Sequence, residues 1–301
     1  MKSIVVASGK GGTGKTTMTA VFAHVASRRL AVAVADGDVE ASNLPLALRA
    51  KDVSCTAFPG GARAVIDGDV CVACGLCAPA CRFDAITGGI SGAFVVDTFA
   101  CEGCGRCAIV CGSGAVVMKP TTAGEACVGE SVVGPIAFGQ LGPGEDLSGK
   151  LVTEVRSLGS HAAGQHHAAV LLIDGPPGIG CPLIAAVAST DMVVAVAEPT
   201  VSGAHDLDRL ADVAARLGLP VRVVLNKADL SADGASRLRE LCDSRGLPLV
   251  AEVPFDAAFA DTVRAFAAGT ASLVTDSSPG LRAAVGAWRA VESELGLVTR
   301  R

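Results

Sequence analysis

Two sets of residues in this chain could do chemistry. The first is a cysteine pattern written twice: Cys71, Cys74, Cys77, Cys81, then Cys101, Cys104, Cys107, Cys111. The copies are offset by 30 residues throughout, an internal repeat that marks a small module. Thiolates so closely spaced hold soft metals, and in a chain with no export signal they point to metal or redox chemistry rather than disulfides. The second set is Gly9-Lys10-Gly11-Gly12-Thr13-Gly14-Lys15-Thr16-Thr17, which fits G-x-x-x-x-G-K-[ST]. Its glycines let successive backbone N–H groups turn inward around phosphate oxygens, and a helix N-terminus adds a favourable field for anions. Lys15 is expected to reach the β and γ phosphates, and the Thr16 hydroxyl to ligate Mg²⁺.

The repeated C-x₂-C-x₂-C-x₃-C run resembles the bacterial two-cluster ferredoxins. That resemblance implies two 4Fe–4S clusters. Three thiolates one short turn apart face one cubane, and the fourth crosses to the other. Cys71, Cys74, Cys77 and Cys111 then hold one cluster, and Cys101, Cys104, Cys107 and Cys81 hold the second. A zinc site accounts for single C-x₂-C pairs but not for two identical runs of four. The chain departs from the pattern in one respect: Arg82 and Gly112, not proline, follow the fourth cysteines. Such a module passes electrons one at a time, or is stapled by clusters because it is too small for a core of its own.

The elements that must carry these residues read as alternating strands and helices. Apolar runs at Ile4–Ala7, Leu30–Ala35, Val170–Ile173, Met192–Ala197, Val221–Leu225 and Leu249–Val253 are continuous, as in strands covered on both faces. Helical segments are expected at about Lys15–Arg29, His205–Leu217 and Ala235–Arg245. The fold class is therefore α/β, a doubly wound, mostly parallel sheet with a small inserted α+β ferredoxin-like domain. Residues 1–60 and 119–301 form the P-loop domain and 61–118 the insert, with Pro59-Gly60-Gly61 and Lys119-Pro120 as hinges. Polar residues close the strands, Asp36-Gly37-Asp38, Asp174, Glu198-Pro199-Thr200, Asn226-Lys227 and Pro254, so they should gather on one rim.

Lys10-Gly-Gly-Thr-Gly-Lys-Thr-Thr17 resembles the deviant Walker A motif of the MinD/Mrp/nitrogenase-iron-protein ATPases. In that class the first lysine touches the nucleotide of a second subunit, so the resemblance implies that Lys10 acts in trans within a nucleotide-dependent homodimer. It also implies that Asp38 orients the attacking water and helps complete the Mg²⁺ shell, with Asp36 in support. Asp174-Gly-Pro-Pro-Gly-Ile-Gly looks like the Walker B and second switch, with Asp174 holding Mg²⁺ through water. By the same resemblance Asn226 contacts adenine and Pro254 packs on the base. Lys227 and Asp229 read as base-recognition or surface charges. Gly142–Lys150 and Glu198–Asp206 extend the likeness to MinD-superfamily ATPases with an inserted two-cluster ferredoxin domain.

The expected activity is ATP hydrolysis by a dimeric switch, coupled to electron transfer to a redox partner. Two alternatives stand beside it: a cluster carrier serving an apo-protein client, and a MinD-like positioning ATPase with structural clusters. A formal charge of −5, with no Tyr and one Trp, speaks against nucleic acid. No apolar run is long enough to span a bilayer, so a cytoplasmic protein without an integral membrane segment is expected. The C-terminal stretch Leu281–Leu297 alternates charge rather than forming a basic amphipathic face. Cys55 and Cys242 read as structural and Cys181 as a buried or polar-shielded switch cysteine, Cys127 has no assigned role, and His161, His166 and His167 read as exposed loop residues.

Overall fold

The computed structural model describes residues 1–90, 92–271, 273 and 278–297. From the N-terminus its elements are β1 (Lys2–Ser8), α1 (Lys15–Ser27), β2 (Val32–Asp36), α2 (Leu44–Ala47), β3 (Lys51–Ile66), α3 (Cys77–Ala80), β4 (Ile86–Gly88), β5 (Phe94–Val96), α4 (Arg106–Ile109) and β6 (Val116–Ser131). There follow β7 (Gly134–Leu141), α5 (Ser148–Gln165), β8 (Val170–Pro177), α6 (Cys181–Val187), β9 (Met192–Ala197), α7 (Val201–Arg216), β10 (Val221–Asn226), α8 (Ala232–Arg245), β11 (Leu249–Val253), α9 (Ala257–Ala267) and α10 (Pro279–Glu294).

Nine strands form one sheet in the order β11-β10-β9-β1-β8-β2-β7-β6-β3. From β11 to β7 the pairing is parallel. The chain is an α/β protein with a large, mostly parallel sheet. The apolar runs form the central strands because helices cover both faces: Ile4 and Val6 pack with Phe22 of α1 and Trp288 of α10, all fully buried, while α5 lies against β2 and β8. The winding reverses at β1. Later strands lie on both of its sides, β8 on one and β9 on the other. A crevice opens at such a reversal beyond the carboxyl ends of the strands, and the Gly-rich loop leaves β1 there.

Two compact units can be distinguished: residues 1–56, 126–140 and 148–301, and residues 57–125 with 141–147. In the second, β4 and β5 form a small antiparallel hairpin, Ile86 opposite Val96. Its core is Ala64, Cys77, Ile86, Cys107 and Val116, with Phe94, Val96 and further cysteines against it. Cysteines stand there where a larger domain would place leucines.

The segments Pro59-Gly60-Gly61 and Lys119-Pro120, expected as hinges, are extended strand backbone. They lie inside β3 and β6, which continue through them. A Cβ on Gly60 would stand 2.8 Å from the Thr121 hydroxyl and 3.0 Å from Ala123 N. That glycine serves close approach of chains, not bending. Pro59 lies in β3, the last strand of the sheet, the place where a strand best tolerates a missing N–H. His161, expected in a loop, lies in α5. Among the described residues no helix is long and apolar enough to cross a membrane.

Candidate nucleotide site and cysteine loops

The Gly-rich loop joins β1 to α1. Gly12 has φ +80° and Gly14 φ +92°, two left-handed residues two apart. This geometry turns successive N–H groups to the same side and makes a concavity for anions. Lys15, the first residue of α1, is 6% exposed. The Thr13 hydroxyl is buried without a hydrogen-bond partner among the described residues. An orphaned donor in such a concavity fits a phosphate oxygen.

The loop is braced from far along the chain. Asn226 Nδ2, at the end of β10, donates to Thr13 O at 2.7 Å. Lys227 Nζ donates to Gly12 O at 3.2 Å. Lys227 itself has φ +54°, a left-handed turn that aims its side chain back at the loop. Its ammonium also pairs with Glu198, beyond the end of β9. The same carboxylate takes Lys10 Nζ at 3.1 Å. Lys10 Nζ further reaches the hydroxyls of Thr200 (3.3 Å) and Ser202 (3.4 Å). Burial pushes the Glu198 carboxyl upward, but the bonds from Lys227 and Lys10 outweigh this and hold it below the ordinary glutamate range.

The acids meet on the other side of β1. Asp36 of β2 and Asp174 of β8 are register neighbours, 0% and 1% exposed. Asp174 accepts from the Thr16 hydroxyl at 2.5 Å and from the Thr19 hydroxyl at 3.0 Å. Asp36 accepts from Asp38 N, the Ser42 hydroxyl and Leu44 N at 2.7–3.0 Å, so it shapes the turn that presents Asp38. Burial raises both carboxyls, and the charge of Asp36 raises Asp174 further. Burial also raises half-buried Asp38, while the Lys15 ammonium draws it down. Two buried acids next to a lysine and a threonine hydroxyl suit a hard divalent cation with oxygen ligands.

Lys10, Gly11, Gly12, Thr13, Gly14, Lys15, Thr16, Thr17, Asp38, Asp174 and Asn226 thus belong to one neighbourhood. Pro254 lines an open recess with Ala228, Asp229, Arg239 and Glu252. Asp229 is engaged, accepting from Phe255 N at 2.6 Å. Lys227 is no surface charge, and Glu198 escaped sequence reasoning except as a polar residue at a strand end.

The cysteine loops repeat one backbone. Ala73 (φ +56°) and Gly75 (φ +77°) are left-handed in the first copy, Gly103 (φ +67°) and Gly105 (φ +72°) in the second. After each fourth cysteine comes another left-handed residue, Asp84 (φ +49°) and Gly114 (φ +71°). All three pairs keep the 30-residue offset. Burial raises the Cys77 thiol, and its thiol neighbours Cys71, Cys111 and Cys74 raise it further. Burial likewise raises Cys107, beside Cys101 and Cys104. A separate recess is lined by Cys81 together with Cys101, Cys104 and Cys107. Cys111 thus stands with the first run and Cys81 with the second. Such paired left-handed turns also form the concavities of iron–sulfur sites, and thiolate sets of four suit iron.

The remaining cysteines divide. Cys55, read as structural, and Cys127, which had no assigned role, are joined in a disulfide across 72 residues, so this pair departs from the reading of the cysteines as metal or redox ligands. Neighbouring strands β3 and β6 bring the two together, and no sequence spacing announces that. Cys181 opens α6 and is exposed, not shielded as expected, because it stands at the first turn of the helix, while Cys242 is buried in α8, its thiol pushed up to about 11 by burial and by Asp243.

Comparison with known proteins bears on this geometry. Residues 4–265 match the family model described as the CobQ/CobB/MinD/ParA nucleotide binding domain. The Methanocaldococcus jannaschii protein MJ0578 is 34% identical over 229 residues, covering 76% of this chain and 79% of that protein. MJ0579 of the same organism is 27% identical over 238 residues, covering 77% and 82%. Among solved structures, the septum site-determining protein MinD complexed with Mg-ADP from Pyrococcus horikoshii superposes with a TM-score of 0.58 at 20% identity, over 98% of this chain and 97% of that one. A Cyanothece McdA(D38A)–ATP complex gives 0.55 at 18%, over 100% and 98%. At these identities the likeness to the solved structures is one of fold.

Proposed function

The chain belongs to the CobQ/CobB/MinD/ParA nucleotide-binding family, and from that premise we propose an ATP-hydrolysing dimeric switch that carries two 4Fe–4S clusters and couples nucleotide state to electron transfer. The observation that carries the iron–sulfur half is the crossed grouping of the cysteines on paired left-handed turns. Cys71, Cys74, Cys77 and Cys111 would hold one cluster, and Cys101, Cys104, Cys107 and Cys81 the other. The clusters supply one-electron transfer when bound. Cys77 and Cys107 are among the core residues of the second unit, so holding metal and holding the fold are one task there.

At the nucleotide, the Gly12–Gly14 backbone and Lys15 bind phosphates, and the Thr13 hydroxyl gains the partner it lacks. Thr16 and Asp174 hold Mg²⁺, Thr19 orienting the Asp174 carboxylate. Asp38, set by Asp36, orients the attacking water. Lys10 crosses to the nucleotide of a second copy and stabilises charge on the transferring phosphoryl group. Asn226 takes the base edge, and Pro254 packs against the base.

The test is done on protein purified without oxygen. Iron and acid-labile sulfide should each approach about eight per chain, and the reduction potential should move when ATP is added. A colourless, iron-free protein ends the iron–sulfur half. Lys10→Ala should retain nucleotide binding and lose turnover, and unchanged hydrolysis would remove the in-trans role. One second reading has an observation of its own: the small cysteine-bearing core of the second unit suits clusters that only staple it. A potential indifferent to nucleotide favours that MinD-like switch.

A further inference from the structure

We propose that Glu198 is a positioning residue, a latch that keeps Lys10 on its own chain and so sets the threshold for pairing of two copies. This rests on the reading that Lys10 acts in trans. The Glu198 side chain is 12% exposed, against 32% for Lys10 and 29% for Lys227. One carboxylate is therefore shared by two ammonium groups at the rim of the phosphate loop. Lys227 fastens it to the loop through Gly12 O. Lys10 then has three acceptors, Glu198, Thr200 and Ser202, all in the segment that leaves β9 and starts α7.

Thr200 is not free to follow Lys10 outward, because its hydroxyl also caps α7 by accepting from Gly203 N at 2.9 Å. The acceptors stay with the sheet and the helix, and only the lysine can leave. A Lys10 that reaches a second copy must first give up the Glu198 carboxylate. The pair is partly exposed, so that cost is moderate and a partner's phosphates can outbid it. The latch opposes pairing in the absence of a competing anion and yields when a triphosphate is presented. It takes a free energy of interaction that differs between the single and the paired chain, which is what a switch requires.

The experiment uses the full-length, oxygen-protected chain with a non-hydrolysable ATP analogue. Pairing is followed by sedimentation across protein concentration, and ADP affinity is measured in parallel on the unpaired chain. Glu198→Gln keeps the shape and removes the charge. It should move the pairing midpoint to a protein concentration roughly two- to thirtyfold lower, because each dimer gives up two partly exposed ion pairs. That gain should exceed any change in ADP affinity. Glu198→Asp, which keeps the charge, should return the midpoint toward the unmodified chain. An unchanged or higher midpoint for Glu198→Gln overturns the proposal. So does a gain matched by an equal gain in ADP affinity, since that would be general electrostatics at the phosphates. The underlying reading fails by a different sign: Lys10→Ala pairing as the unmodified chain does, or no pairing with any nucleotide.

Discussion

The phosphate loop and the cysteine loops are built with one backbone device and supported in opposite ways. Each places two left-handed residues two positions apart: Gly12 and Gly14, Ala73 and Gly75, Gly103 and Gly105. The phosphate loop is held by side chains more than two hundred residues distant, Asn226 on Thr13 O and Lys227 on Gly12 O. It also stands on β1, paired on both sides in the centre of the sheet. The cysteine loops are held by short local bonds, such as Cys71 N to Asp67 O and Cys81 N to Ala78 O, both 3.0 Å, over a core of five small or mid-sized residues. The first concavity is braced by protein groups alone. On the proposed function, the second would be completed by its clusters.

The largest expected effect is a double dissociation that would break this contrast if it failed. Lys15→Ala should abolish nucleotide binding, measured by calorimetry, and leave iron content unchanged. Cys77→Ala should cost about half of the iron and loosen the second unit to proteolysis, while nucleotide binding persists. Loss of both properties in either variant would show that the two regions fold as one. Next in size is a matched pair of glycine substitutions. A Cβ on Gly14 would stand 2.5 Å from Asn226 Nδ2 at a φ of +92°, so Gly14→Ala strains the backbone and displaces the brace. Nucleotide affinity should fall roughly five- to 150-fold, a strain of order 1–3 kcal/mol. Gly105→Ala meets nothing within 4 Å and should cost only the left-handed penalty, about 1–2 kcal/mol by denaturant titration followed at the iron absorbance. Equal costs at the two positions would remove the difference in bracing. Smallest is Ala73→Gly, which relieves an alanine at φ +56°. It should change stability by under about 1 kcal/mol, with the iron content intact, because glycine's gain in the left-handed turn is offset by its freedom in the unfolded chain.

The sequence disclosed whatever was written as local pattern. The runs at Ile4–Ala7, Val170–Ile173, Met192–Ala197, Val221–Leu225 and Leu249–Val253 were legible because strands buried on both faces are apolar throughout. Strands β3 and β6 were not, since β3 is mostly exposed and β6 irregular, and both carry proline and glycine. Their pairing partners, not their own side chains, make them strands. The disulfide of Cys55 with Cys127 was hidden for the same reason. At the nucleotide site the glycines and Lys15 announce themselves by spacing. Glu198 and Lys227 do not, because what matters about them is that β9 and β10, neighbours in the sheet, deliver them to one loop.

The crossing of the cysteines has a consequence for how such a chain can be divided. Each set draws three sulfurs from one copy of the repeat and one from the other, so a cut between Cys81 and Cys101 leaves two fragments with neither set whole. On the proposed ligand sets, either half alone would complete a cluster site only by borrowing from its twin, so the doubled segment would hold its clusters only as a unit.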